Sequence, residues 1–182
     1  MTRKETSKGY FYTKIEHFDF EKFYTKKMRF SLHFLMWSVF GILLMITYQL
    51  AYHLTFFEAL MMTVRMTSVN MSVFYIFFYL IFPKFIYLNR FNSIIYLLLS
   101  CIFCGFLWLF VTYFFSKLYV LLGIDISSGE LKGVISMSAH QPLREAISPK
   151  RLLSQAMIIF ANLSPFFFFK LLFEIFRVYN KV

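Results

Sequence analysis

Glu58 and Arg65 are the two charges set inside the otherwise apolar stretch from Phe56 to Phe82, seven positions apart. Seven residues of helix rise about 10.5 Å, so a direct ion pair requires both long side chains to reach toward each other on one face. A charge at the centre of a bilayer costs about 2.5–3.5 kcal/mol on insertion scales, so such groups face a bundle interior or extend to the surface. The pair therefore reads as structural or snorkelling, as an interior polar face used in signalling, or as part of a transport or catalytic site. The length of the stretch puts Glu58 in the outer interface and Arg65 a turn or two below it. Asn70 and Ser72 continue the polar lining, and such groups form helix–helix hydrogen bonds of about 0.6 kcal/mol each. A second anomaly is Asn162-Leu-Ser-Pro165, followed by four phenylalanines. Pro165 removes a backbone donor and clashes with the preceding turn, which predicts a kink. Asn162 and Ser164 are placed to satisfy carbonyls freed there. Such a kink serves a moving helix or a static bundle equally well.

Other chemistries find few residues to carry them. Cys101-Ile-Phe-Cys104 has C-x-x-C spacing, but thiolate formation is disfavoured in an apolar helix, so the two read as small packing residues. His17, His33, His53 and His140 do not share metal-ligand spacing, and no metal is expected. The glycines form neither G-x-G-x-x-G nor G-x-x-x-x-G-K, so no phosphate cradle and no cofactor are expected. Lys170 and Glu174, four apart, share a face near one end of the last apolar stretch; their plainer reading is a solvated helix end.

The elements that must position these residues are four apolar stretches, roughly 30–53, 56–82, 94–115 and 152–176. Each reaches the roughly 20 residues that cross a bilayer core of about 30 Å. The chain is 59% hydrophobic and 15% charged, with 27 Phe and 12 Tyr, whereas a soluble domain carries about 25% charged residues. The stretches are continuously apolar, without the ten-residue alternation of a barrel strand, so they are helices. The fold expected is all-α, an integral membrane bundle of four transmembrane helices. The brief connection 51–55 makes the first two an antiparallel hairpin, and Pro83 closes the second, since proline disfavours helix at the residue before it. The connection 116–150 is read as an external loop, with at most a short helix at 143–147. No internal repeat suggests a transporter of inverted halves.

The net charge of +10 is unevenly spread. Residues 1–29 hold eight Lys or Arg, the turn after the second stretch holds Lys84 and Arg90, and the tail holds Lys170, Arg177 and Lys181. The 51–55 turn holds none, while five lie between Lys117 and Arg151. The positive-inside rule puts the N-terminus and the C-terminus in the cytoplasm. Positive charge at helix ends, without a continuous patch, argues against nucleic acid as a partner. The first stretch starts too late and runs too long for a signal peptide, and no Ala-x-Ala-like site follows it. Within 1–29, aromatic residues alternate with lysines, as in a helix lying on the inner leaflet; a disordered basic arm is the plainer alternative. Residues 179–182 begin a cytoplasmic tail.

His33-Phe-Leu-Met-Trp37, Tyr48, the run from Asn70 through Pro83 to Arg90-Phe91, and Tyr96 resemble the membrane region of LytS-type bacterial sensor histidine kinases, which signal to LytTR response regulators. The resemblance covers about residues 30–178 and rests on common membrane residue types. Phe77 stands where that family often has asparagine, and Phe82 is an extra residue before Pro83. The resemblance implies an inner-membrane input domain, a homodimer, whose last helix passes a change in packing to a cytoplasmic kinase module or partner protein. No proline in residues 1–182 is followed by histidine, so the phosphoacceptor box of that family is missing, as is its ATP lid. The expectation is an isolated sensor part, a truncated product or a small stand-alone relative, with no catalysis of its own. Two rivals are a membrane accessory or scaffold protein, and a transporter or enzyme in which Glu58, Arg65 and Asn162 converge on a polar pocket.

Overall fold

The computed structural model describes residues 25–85 and 90–179. The arm read as an interfacial helix therefore lies, up to residue 24, outside the described residues, as do 86–89 and 180–182. Helix α1 (Lys26–Tyr52) starts at Thr25, whose hydroxyl accepts the Met28 N–H at 3.3 Å. It ends at His53, whose φ of 51° turns the chain sharply back. Thr55 then caps α2 (Phe56–Ile76) in a capping box with Glu58, which satisfies donors that a helix start leaves open. With so short a link, α1 and α2 pack antiparallel.

Helix α2 does not stop before Pro83. It widens into a π-helical turn, Phe77–Ile81, and continues as α3 (Phe82–Phe85), with Pro83 inside α3. The Phe82 N–H reaches back five residues to the Phe77 carbonyl. A wide turn just before the proline eases the clash its ring makes with the carbonyl four residues back. This is why the helix outruns the boundary expected from the proline alone.

Helix α4 (Arg90–Leu121) likewise outruns residue 115 and ends at a glycine. Gly123 has φ 64°, its N–H donates to the Val120 carbonyl, and the Ile124 N–H donates to the Tyr119 carbonyl. That pair of bonds is a Schellman stop, which favours glycine at its left-handed position. The segment expected as a loop holds α5 (Gly129–His140) and α6 (Leu143–Ala146) before α7 (Pro149–Tyr179). The residues Leu131, Ile135 and Ala139 stand four apart, and Ile135 and Ala139 are buried. This apolar stripe lets α5 pack on α4 despite two glycines.

Among the described residues every regular element is helical, and four helices are long and apolar enough to cross a membrane: Lys27–Tyr52, Phe56–Lys84, Ile94–Leu121 and Pro149–Phe173. Their outward faces are apolar, with Leu50 73% and Met157 79% exposed. So much continuous apolar surface suits lipid and not water. The chain is built as a multi-pass membrane protein. Helix α2 is central, packing on α1, α4 and α7. Toward Pro83 the core is aromatic: Trp37 stacks on Phe166 with centroids 4.5 Å apart, and Phe77 meets Phe167 at 4.6 Å. Toward the His53 turn a second cluster joins Leu54, Ala59 and Met62 to Tyr119, Ile126 and Ile135, so α5 closes that end.

Candidate functional site

Arg65 stands nine residues into α2, about 13.5 Å from its start along the axis. It faces inward, only 9% exposed. Its Nη2 donates to Ser116 Oγ of α4 at 3.2 Å, and that hydroxyl donates to the Thr112 carbonyl at 2.9 Å. Arg65 Nε is buried without an acceptor, as is Thr112 Oγ1. No carboxylate among the described residues pairs with this guanidinium. A buried charge normally requires a partner of opposite sign, so the missing countercharge marks this place in the bundle.

Arg65 lines a cavity of about 210 Å³ between the helices. Tyr48 reaches it from α1, Thr112 and Trp108 from α4, and Arg151 and Gln155 from α7. The walls are apolar, supplied by Met62, Met66, Val69 and Leu109, and the residues that line it include two arginines and no Asp or Glu. Ser138 of α5, Gln141 and Ala146 of α6 also border it, which places it under the short helices that close this end. The arrangement offers fixed positive charge and hydrogen-bond donors from α1, α2, α4 and α7.

No family model, curated protein or solved structure matches this chain. The candidate site therefore rests on its own geometry, and the sequence-derived candidates divide accordingly. Glu58 is not Arg65's partner. Its Oε2 accepts the Thr55 N–H at 2.9 Å, and its Oε1 accepts the Ser127 N–H at 2.6 Å. It ties the start of α2 to the segment after α4. Asn70 is fully buried, and its Oδ1 accepts from Trp108 Nε1 at 3.1 Å, while its Nδ2 has no acceptor. It sits one turn beyond the cavity wall at Met66. Ser72 donates back to its own helix at the Ser68 carbonyl, 2.8 Å.

Asn162 likewise donates to the Ile158 carbonyl of its own helix at 2.8 Å; it does not reach the carbonyl of Ala161, four before Pro165. Helix α7 runs through Pro165, which is exposed. Asn162 and Pro165 are thus remote in role from the cavity, and Glu58, Arg65 and Asn162 do not converge. Cys104 is buried and Cys101 exposed, both as free thiols. Outside the spans, Asp125 pairs with Lys132 at 2.7 Å, and that ammonium holds its carboxyl below the usual range.

The residues that join Arg65 were not singled out by their sequence context. Thr112/Ser116 and Arg151/Gln155 are each spaced by four, so each pair shares a helical face. That spacing was a usable signal. A second polar cluster carried a similar one: His33 and Trp37, four apart on α1, both reach the Tyr75 hydroxyl of α2 at 3.2 Å.

Proposed function

We propose that this protein is a ligand-responsive membrane domain of the bacterial inner membrane, with both termini cytoplasmic, in which occupancy of the Arg65 cavity is passed along α7. The observation that carries the reading is the position of Arg151 and Gln155. They line the cavity at the start of α7, and the same helix continues to Tyr179, at the end that the basic residues assign to the cytoplasm. A ligand that differs in its contacts with α2 and α7 in two packings shifts the equilibrium between them. In this reading the chain acts as the input part of a LytS-type sensor, as a dimer, feeding a cytoplasmic kinase module or partner protein.

A test is a fusion of residues 1–182 to a histidine kinase output, with autophosphorylation measured in membranes. Arg65→Ala and Pro165→Ala should each shift the output severalfold while the protein still inserts. Unchanged output from both variants removes the signalling reading.

A transporter or enzyme is the second reading, and one observation favours it: polar groups from several helices do converge on a cavity. Against catalysis, the described residues that line the cavity include neither carboxylate nor histidine, the groups whose ordinary pKa values best serve proton transfer near neutrality. Movement of a probe anion across proteoliposomes would favour transport; binding without movement favours the receptor.

A further inference from the structure

We infer that the Arg65 cavity is an oxyanion site, and that its ligand presents a carboxylate or phosphate group to Arg65 and Arg151. Three observations carry this. First, Arg65 is nine-tenths buried, its guanidinium has Ser116 as its protein acceptor, and its Nε has none. Second, a second arginine, Arg151, lines the same cavity at its partly exposed rim, and no Asp or Glu among the described residues does. Two cations beside one cavity repel each other, and an anion between them offsets that repulsion. Third, further donor-bearing side chains, Tyr48 and Gln155, are among the residues that line the space. A planar guanidinium matches a carboxylate or phosphate in a two-point contact that a spherical ion cannot use.

The shape limits the ligand further. At about 210 Å³ the cavity falls below the roughly 300–1,000 Å³ of drug-sized sites. It fits a small organic acid, inorganic phosphate or the phosphate end of a lipid headgroup. Met62, Met66, Val69 and Leu109 supply apolar walls, which favour an oxyanion carrying a short apolar body over a polyanion. Gln141 and Arg151, both partly exposed, stand at the rim, under α6 and at the start of α7. A ligand enters there from the aqueous face or from the lipid headgroups.

The inference deepens the proposed function and rests on its choice of this cavity as the ligand site. Its test reads binding on purified protein, apart from signalling output, so either can fail alone. Trp108 borders the cavity, and with Trp37→Phe as background it becomes a single fluorescent reporter. The full chain in an uncharged detergent is titrated with benzoate and with inorganic phosphate at constant ionic strength set by chloride. The same protein in nanodiscs is compared between phosphatidylcholine alone and phosphatidylcholine with phosphatidylglycerol.

A saturable Trp108 response to benzoate or phosphate identifies a soluble oxyanion. A response confined to phosphatidylglycerol discs identifies a lipid headgroup. In either case Arg65→Lys and Arg151→Gln should weaken binding about tenfold or more, the loss expected for a charge-assisted contact. Arg151 lies at the rim, so its variant decides the question if Arg65→Lys does not fold. The inference is overturned if no probe gives a saturable response, or if binding is indifferent to the substitutions that fold.

Discussion

Asn70 and Trp108 form one buried bond across the α2–α4 contact, with Nε1 and Oδ1 3.1 Å apart. Replacing Asn70 by Ala leaves the indole N–H without an acceptor where water is scarce, a loss of about 1–3 kcal/mol. Adding Trp108→Phe removes the orphaned donor, so the double variant should lose less than the two single losses summed. Unfolding in mixed micelles, run as a double-mutant cycle, measures this coupling; strict additivity would show that the bond contributes nothing. Asp125 behaves differently because it lies in the open. Lys132 lowers its carboxyl pKa, so the pair helps the fold above the ordinary carboxylate value and that help fades as pH falls through the lowered one. Surface pairs of this kind contribute little and are screened by salt. Asp125→Asn should therefore abolish a small acid-side loss in melting temperature at low salt, and leave the neutral-pH value nearly unchanged.

Helix contacts turn on one small residue. A Cβ on Gly105 would fall 2.5 Å from Leu152 Cδ1, so Leu152 packs into the space that the missing side chain at position 105 leaves. Since the obstructing atom is the end of a flexible side chain, Gly105→Ala should be mild and relieved by Leu152→Ala. Gly105→Val should cost about 1–3 kcal/mol, the usual range for overpacking, and should also move α7 at the cavity. Thermal unfolding gives the first effect and the Trp108 signal the second. The element boundaries were legible where they depended on local chemistry. Thr55 with Glu58 is a capping box in the letters, and the three-residue link 53–55 forces the hairpin. The end of α2 was less legible: Pro83 reads as a stop, yet a π turn at Phe77–Ile81 carries the helix past it. Helix α5 was concealed by Gly129 and Gly133, which lower helix propensity. The burial of Ile135 and Ala139 outweighs that local cost.

The described residues form a bundle with an aromatic core at one end and, at the other, a cavity with apolar walls and two arginines. The orientation proposed above rests on the distribution of charge, and a labelling experiment checks it. A cysteine at Ser127, in a Cys101→Ser, Cys104→Ser background, should react with a membrane-impermeant maleimide added outside intact cells, while one at Ser7 should react only after lysis. The reverse pattern would place the cavity mouth in the cytoplasm and remove the proposed route of the signal.

Four spans, their helical nature and their order along the chain were determined by the sequence alone, because hydrophobic runs of bilayer length are a local, one-dimensional property. So was the oddity of a charge at position 65. What surrounds that charge was decided only by tertiary structure. Tyr48, Thr112, Arg151 and Gln155 are far apart in the chain and individually ordinary. Antiparallel packing of α1, α2, α4 and α7 brings them to one space. The obvious sequence partner, Glu58, is engaged instead by Thr55 and Ser127, since a carboxylate at a helix start finds backbone N–H groups closer than an arginine two turns away. Periodicity tells which residues share a helix face. Which faces meet depends on packing across helices, where burial and charge are settled together.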